Sequence, residues 1–288
     1  MSAPGLYLSI DFEDFAHDLK RDLGLWQTGP LRAAALWRAY AGIERFLRAH
    51  GGARITFFCT GIIAEQMPDL IARIAADGHE IGCHYHYHDC IDRQTPAAFA
   101  DHLATALAAL RAASGQPVRG FRAPKFRIDR QGCAQYEVLA RQVGYDSSYL
   151  CTHRSEARDF AARLSQPLAL LPIWSGRIAP GLPRMRLGGS YAKLFPMAAT
   201  ERMIAAARAG GMVPHLYLHP YEFTADGDFA LSPAELAPLG PGRAALWRAR
   251  QMQWHRIGNA DLPGRLSRLI SALGLGGRLC DAQEVLAA

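Results

Sequence analysis

The stretch that decides the fold is Gly78-His79-Glu80-Ile81-Gly82-Cys83-His84-Tyr85-His86-Tyr87-His88-Asp89. Four of the chain's 11 histidines lie here, around the end of a short apolar run that is typical of a buried strand. Imidazole commonly holds transition metals at neutral pH, and α/β enzymes place their reactive groups where strands end. The stretch predicts a metal centre at a strand end. A solvated histidine-rich loop is the alternative that it leaves open by itself.

The rest of the chain repeats a pattern of an apolar strand followed by an amphipathic helix. Helical spacing is clear between Leu36 and Leu47 and between Phe99 and Leu110. Strands that alternate with helices imply parallel βαβ units, so the sequence predicts an α/β fold, a distorted (β/α) barrel of about seven parallel strands. Besides the strand before the histidines, the predicted strands lie within residues 6–15, 54–61, 118–122, 144–149, 168–173 and 213–220.

Length, composition and charge restrict the class of protein. The 288 residues, half of them hydrophobic, suit a single domain over 1–288, with core motifs in 6–222 and a C-terminal helical extension in 223–288. The net charge is +6, but the basic residues do not form the stripe interleaved with aromatic residues that is typical of nucleic-acid binding. The positive charge leaves open a peripheral contact with an anionic membrane. Without a secretion signal or a long apolar run, we expect no transmembrane segment and a cytoplasmic location.

Reactive side chains follow the predicted strands at their carboxyl ends, where a (β/α) barrel places its active site. Asp11, Glu13 and Asp14 end the first strand, although like charges at such spacing repel unless a cation offsets them. Independent surface residues would not gather at the same end of every strand, so the pattern predicts one shared site. Its further members are His84, His88, Arg122, Asp146 and His219.

Two histidines and a carboxylate form a metal site that keeps open positions. His84 and His88, four residues apart, can converge on one divalent ion, for which we expect Zn²⁺, with Co²⁺, Ni²⁺ and Mn²⁺ as the other candidates. Such an ion polarises a carbonyl and activates water. A second carboxylate can act as base, His219 as acid, and Arg122 can keep the base ionised. This combination predicts metal-assisted hydrolysis of an amide or ester.

These residues resemble the motifs of the polysaccharide deacetylases with a NodB-type domain, carbohydrate esterase family 4. The Thr-Phe-Asp-Asp motif resembles residues 9–14, the Thr-Phe-Phe strand is residues 56–58, and Gly-His-Glu-Ile-Gly-x-His-x-x-x-His matches residues 78–88. Arg-x-Pro is residues 122–124, and the final Leu-His is residues 218–219. The C-terminal tail resembles that of the intracellular, exosortase-linked branch of the family.

The resemblance implies a metal-dependent hydrolase that removes the N-acetyl group of an amino sugar, whether nucleotide-linked, lipid-linked or oligomeric. The implied roles are base for Asp11, orienting partner of Asp11 for Arg122, acid for His219, tuning of that acid for Asp146, and metal ligands for His84 and His88. We expect substrate contacts from Pro124, Lys125, Phe126, Tyr149 and Tyr191. A backbone N–H near Lys125 or Phe126 would help to stabilise the oxyanion.

The identity of the third metal ligand is undecided, because the family has two adjacent aspartates where this chain has Asp-x-Glu-Asp. Strand alternation puts Glu13 on the same face as Asp11, whereas a turn after Phe12 favours Asp14. We expect Asp14, with Glu13 as the alternative.

Other interpretations stay open beside the main one. An allantoinase-like hydrolase of cyclic amides or ureides would keep the fold, and a catalytically silent glycan-binding domain would lack a base or an acid. We expect the long 174–195 segment to be a loop that covers the substrate. His79 is expected in the core, and the role of His86 is left undecided.

Overall fold

A computed structural model describes residues 5–224 and 227–282, and these residues contain ten β-strands. The strands are β1 (Tyr7–Phe12), β2 (Thr56–Cys59), β3 (Glu80–Cys83), β4 (Gly120–Phe121), β5 (Tyr145–Asp146), β6 (Leu150–Cys151), β7 (Ala169–Leu170), β8 (Ile173–Gly176), β9 (Met185–Arg186) and β10 (His215–Leu218). Seven of them form one parallel sheet in the order β10-β1-β2-β3-β4-β5-β7. The predicted α/β fold with seven parallel strands is confirmed.

A smaller sheet fills the gap between the two edges of the large one. It runs β6-β8-β9, with β8 and β9 antiparallel. The Ile173 N–H donates to the Tyr149 carbonyl at 2.9 Å, and the Tyr217 N–H of β10 donates to the Leu187 carbonyl at 3.3 Å. The small sheet therefore joins β10 of the large sheet, and its strands β6 and β8 follow β5 and β7 in the chain, which makes the barrel distorted rather than regular.

Helices follow the strands and bury their apolar stripes against them. In β1, Leu8, Ile10 and Phe12 belong to the extensive core shared with these helices. The alternate residue Tyr7 belongs to a separate cluster with Phe58 and others. The helices are α1 (Phe15–Asp22), α2 (Ala33–Arg48), α3 (Gly61–Gln66), α4 (Pro68–Ala76), α5 (Pro96–Ser114), α6 (Ala134–Gln142), α7 (Arg154–Ala161), α8 (Gly189–Leu194), α9 (Met197–Ala209), α10 (Pro233–Leu236), α11 (Pro241–His255) and α12 (Leu262–Leu273).

The segment 174–195 is not the loop that the sequence predicted. It forms most of β8, the strand β9 and the helix α8. Close packing of two glycines holds α8 against the barrel: a Cβ on Gly188 would lie 2.4 Å from the Tyr217 ring, and one on Gly189 would lie 2.1 Å from the Glu222 carboxylate. Much of the segment therefore has regular secondary structure and forms part of the barrel wall.

No helix within 5–224 or 227–282 combines the length and the apolar character that crossing a bilayer requires.

Candidate active site

Glu13, His84 and His88 converge at the carboxyl ends of β1 and β3. Glu13 Oε2 lies 2.8 Å from His88 Nε2 and 3.4 Å from His84 Nε2. β1 ends at Phe12, and Glu13 follows it directly, with its carboxylate facing the two imidazoles. Glu13 and His84 are buried, and His88 is 11% exposed.

The structure corrects the expectation that Asp14 is the third ligand. Asp14 is the N-cap of α1: its Oδ1 accepts from the backbone N–H groups of Ala16 and His17 at 3.1 and 3.2 Å. Its Oδ2 accepts from the Arg32 N–H at 2.5 Å. Both oxygens are therefore engaged by backbone donors at the start of the helix, and the alternative, Glu13, joins the two histidines.

The loop after β3 orients the two imidazoles. Tyr85 has a φ of 68°, a left-handed conformation that ends the strand sharply. The carbonyl of Arg122 lies 2.8 Å from His84 Nδ1. Because a carbonyl oxygen only accepts, Nδ1 carries the proton and Nε2 is left as a lone-pair donor that faces Glu13. A second hydrogen bond of this kind commonly fixes metal-binding histidines.

The charges of the three groups favour a cation. Burial by itself raises the pKa of Glu13, but the charge of His88 and close contact with both imidazoles hold that pKa well below its usual range. Burial lowers the pKa of His88, but Glu13 raises it to about 9. A metal ion and a proton would therefore compete for the His88 imidazole.

The donor set fits a divalent metal. His84 Nε2 is buried without a hydrogen-bond partner among the described residues, and Glu13 Oε2 has none there besides the imidazoles of the cluster. A buried polar group left unpaired ordinarily costs about 1–3 kcal/mol. One carboxylate oxygen and two imidazole nitrogens, all within 4.8 Å of one another, match the ligands of metal sites that keep open positions. A cation between them would satisfy both atoms.

Arg122 fixes the neighbouring carboxylate, as the sequence predicted. Its guanidinium is fully buried and donates to Asp11 Oδ1 at 2.5 Å and to Ser9 Oγ at 2.8 Å. It also donates to Ser147 Oγ at 2.9 Å and lies 3.1 Å from His215 Nε2. Four separate partners therefore fix the guanidinium, and with it one oxygen of Asp11.

Glu222, which the sequence analysis missed, is the carboxylate beside His219. Its Oε2 accepts from the His219 backbone N–H at 2.9 Å and lies 3.6 Å from His219 Nδ1, an ion-pair distance. Burial lowers the pKa of His219, but Glu222, together with Glu13 and Asp11, raises it above the usual value. The segment His219-Pro220-Tyr221-Glu222 held the signal, since a glutamate three residues after a helix N-cap often reaches back to the cap.

The structure also corrects the role expected for Asp146. Its two oxygens accept from the Ser148 hydroxyl at 2.5 Å and the Ser148 N–H at 2.9 Å. The Ser148 hydroxyl in turn accepts from the Ala123 N–H at 2.7 Å. Asp146 therefore supports the backbone next to Arg122, whereas the carboxylate that lies beside His219 is that of Glu222. Burial raises the pKa of Asp146 to about 6.

A cavity of about 320 Å³ opens over these groups, within the usual size of small-ligand sites. Three other grooves, of about 440, 540 and 710 Å³, are larger, but no described histidine lines any of them. The cavity is lined by Asp11, Glu13, Phe15, Asp18, Leu19, Asp22, His84, His88, Lys125, Phe126, Arg186, Ser190, Tyr217, His219, Tyr221, Trp247 and Trp254.

Of the five expected substrate contacts, two line the cavity and three do not. Lys125 reaches it while its Nζ pairs with Asp22 at 2.6 Å, and the Phe126 ring reaches it beside Tyr217. The Phe126 N–H is already donated to the Ala123 carbonyl at 3.0 Å, which leaves Lys125 as the candidate oxyanion donor. The three whose side chains pack elsewhere are Pro124 in a short 3₁₀ turn, Tyr149 on Phe160 and Tyr191 on Phe195.

The other two histidines of the opening stretch point away from the metal ligands. His79 accepts from the Ile55 N–H at 3.2 Å and bonds Glu44 at 2.7 Å, so it is the core histidine that the sequence predicted. His86 packs on Tyr87 and lies 3.8 Å from Glu65. It is therefore not a ligand.

Comparisons with known proteins agree with this geometry. Residues 37–146 match the model of the polysaccharide deacetylases. A chitooligosaccharide deacetylase of Bradyrhizobium sp. (strain ANU 289) is 40% identical over 70 residues, which are 24% of this chain and 32% of that protein. The similarity to the polysaccharide deacetylases is thus carried by residues 37–146 of the chain. Its match to that curated relative spans about a third of the relative's length.

Solved structures share the fold of this chain. A protein of Mycobacterium smegmatis assigned as a polysaccharide deacetylase has a TM-score of 0.60 at 18% identity, covering 98% of this chain and 93% of that chain. A family 4 carbohydrate esterase from Streptomyces lividans, solved with acetate, has a TM-score of 0.50 at 13% identity, covering 94% and 90%. Assignment to the exosortase-linked branch stays a prediction.

Proposed function

We propose that this chain is a polysaccharide deacetylase that hydrolyses the N-acetyl group of an amino sugar, releasing acetate and the free amine. The observation that carries the proposal is the meeting, in one cavity, of a Glu13-His84-His88 cluster with the Arg122-held Asp11 and with His219. A base, an acid and a cation site are the parts that amide hydrolysis requires.

Asp11 and His219 carry the proton transfers in this proposal. Asp11 takes a proton from the attacking water as the new C–O bond forms at the acetamide carbon. His219 donates a proton to the amine nitrogen as the C–N bond breaks. Arg122 fixes one oxygen of Asp11 through the 2.5 Å contact, and the Lys125 backbone would donate to the oxyanion.

Glu13, His84 and His88 would hold the divalent cation, for which Zn²⁺ suits a set of two imidazoles and one carboxylate. When bound there, the ion supplies Lewis acidity and lowers the pKa of nearby water. Asp11 is not among the three ligands, and its contact with Arg122 leaves it available as the base.

An assay of acetate release tests the proposal. Its substrates are N-acetylglucosamine in free, nucleotide-linked, lipid-linked and β-1,4-oligomeric form. Protein stripped with a chelator and reloaded with Zn²⁺ is expected to release acetate and amine in equal amounts from at least one of these forms, and the stripped protein is expected not to. Release that persists after complete stripping would overturn the metal role. Hydrolysis of a cyclic ureide, with no acetate from any sugar, would favour the allantoinase-like alternative.

We further propose that Glu222 is a positioning residue for His219. An acid must be protonated to act, so activity falls as the pH rises above the pKa of His219, and Glu222 raises that pKa. Glu222→Gln is therefore expected to move the alkaline limb of kcat/KM to lower pH. A shift of one unit would reduce activity about tenfold on that limb.

The matched control is Glu65→Gln, since the Glu65 side chain is 42% exposed and contacts His86 outside the cavity. Lys193, which faces Glu222 at 3.8 Å, keeps its bonds to the Trp254 carbonyl and to Asn259 in the variant, so the fold should persist. An unchanged alkaline limb in Glu222→Gln would remove Glu222 from this role.

A further inference from the structure

Two tryptophans of α11 line the cavity that holds the metal-ligand cluster. Trp247 and Trp254 come from the C-terminal helices, more than 100 residues beyond the segment that matches the family model. They are at positions i and i+7 of the helix, so they lie on nearly the same helix face. Their ring centroids are 6.2 Å apart and their planes are tilted by 34°. Together they present one aromatic surface to the cavity.

The aromatic surface continues onto the N-terminal part of the chain. Phe15, the first residue of α1, packs edge-on against Trp254 at 5.1 Å and against Tyr221 at 5.5 Å. Both Phe15 and Tyr221 line the cavity. One wall of the cavity is thus aromatic, while its remaining lining includes the carboxylates and imidazoles of the reactive site.

Side-chain contacts hold α11 in place before any ligand arrives. The Gln251 amide oxygen accepts from the Leu231 N–H at 2.5 Å, and Lys193 Nζ donates to the Trp254 carbonyl at 2.5 Å. The Arg250 guanidinium lies 5.8 Å from the Trp247 ring and 5.2 Å from the Trp254 ring, within cation–π range. A surface fixed in this way loses little conformational entropy on binding.

Packing alone does not account for both indoles. Trp174, which fills the core, is 3% exposed, whereas Trp247 and Trp254 are only partly buried and face the cavity. A pyranose presents one face of C–H groups, whose partial positive charge complements the negative face of an aromatic ring. Its hydroxyls can meanwhile reach the polar part of the cavity.

We propose that Trp247 and Trp254 form a subsite on which a pyranose ring of the glycan stacks, so that α11 determines which saccharides the site accepts. This inference rests on the proposed deacetylase function and deepens it by naming the binding surface for the sugar. It predicts that the two indoles matter for substrates that contain sugar rings and not for a small acetyl ester.

Trp247→Ala and Trp254→Ala are compared with Trp37→Ala, which removes a 40% exposed tryptophan on α2 outside this cavity. With an N-acetylated chitooligosaccharide, each cavity variant is expected to raise KM about tenfold with little change in kcat. Hydrolysis of 4-nitrophenyl acetate should stay at the level of the Trp37→Ala protein. Trp247→Phe and Trp254→Phe, which keep an aromatic face, should recover most of the KM.

Equal losses on the sugar and on the ester would overturn the inference, because the indoles would then position the reactive groups rather than the saccharide. An unchanged KM in both alanine variants would overturn it as well. A fluorescence titration separates this inference from the proposed function. In an Asp11→Asn background, the chitooligosaccharide should quench tryptophan emission, and the Trp247→Ala/Trp254→Ala pair should lose that response. Quenching without acetate release by the unmodified protein would sustain the subsite and reject the deacetylase.

Discussion

Glu13→Gln is expected to remove bound divalent metal and N-deacetylase activity together, whereas Asp14→Asn is expected to keep both. Glutamine has nearly the size of glutamate but lacks the charge, so the two imidazoles would lose their only carboxylate partner within the cluster that the described residues form. Because a metal supplies several kcal/mol of transition-state stabilisation, the loss of activity should be about three orders of magnitude or more.

The Asp14 variant is the matched control because its side chain lies one residue away and serves a different purpose. Asparagine at an N-cap accepts from the helix N–H groups about as well as aspartate, so Oδ1 can keep its bonds to Ala16 and His17. The bond from the Arg32 N–H to the second oxygen would be lost, at a cost of about 1 kcal/mol.

Metal content by elemental analysis, acetate release and the free energy of unfolding in urea distinguish the two variants. The expected pattern is loss of metal with a retained fold for Glu13→Gln, and a modest loss of stability with metal retained for Asp14→Asn. The reverse pattern would assign the third ligand to Asp14 and would contradict the geometry of the cluster.

Asp11→Asn is expected to lower activity by about 10²–10⁴-fold, the usual contribution of a general base, without loss of metal. Asparagine cannot take a proton from water at neutral pH. It can still accept from Arg122 through its amide oxygen, so the geometry of the network around Ser9 and Ser147 should persist.

The same substitution should also destabilise the protein. Arg122 is fully buried, and removal of the charged partner of a buried cation can cost about 3–5 kcal/mol. The three remaining acceptors around the guanidinium should limit the loss to the lower end of that range. Activity must therefore be compared at a temperature where both proteins are folded, as judged by thermal unfolding.

A second variant separates lost chemistry from lost stability. His219→Gln removes the acid without touching the Arg122 network, and it should reduce acetate release by a similar factor with a smaller change in unfolding free energy. If both variants stay as active as the unmodified protein, neither residue carries a proton transfer. A silent glycan-binding domain would give no acetate before or after either change.

The sequence located the strands and the shared site because both follow from periodicity. Segments of alternating or continuous apolar residues coincide with β1, β2, β3 and β10, and parallel strands bring their carboxyl ends to one edge. Arg122 and Asp11 meet there as predicted. The sequence also predicts that His84 and His88 lie together, because two residues that are four apart need only a local turn to converge.

Two errors share a physical cause: what a side chain does after a strand end depends on the local backbone turn. Asp14 caps α1 because the chain enters a helix directly after Glu13, and the Asp-Phe-Ala-His sequence does resemble such a start. Asp146 turns to Ser148, whereas Glu222 reaches back to His219 through a 3₁₀ turn. Periodicity along the strands does not contain that information.

The contribution of α11 to the cavity could not be predicted from the sequence, for a different reason. Trp247 and Trp254 come about 240 residues after Glu13 in the chain, and no repeat or motif links them to it. Their placement follows from how Gln251 and His255 are buried against the barrel, which is a tertiary contact.

The buried guanidinium of Arg122 joins segments that are far apart in the sequence. Its partners Ser9, Asp11 and His215 lie 113, 111 and 93 residues away along the chain, and bringing such distant segments together costs loop-closure entropy. Ser9, Asp11 and His215 all lie outside residues 37–146, so that segment alone would contain Arg122 but none of these three partners. The hydrogen-bond network around Arg122 is therefore complete only when the first and last strands of the barrel, β1 and β10, are both in place.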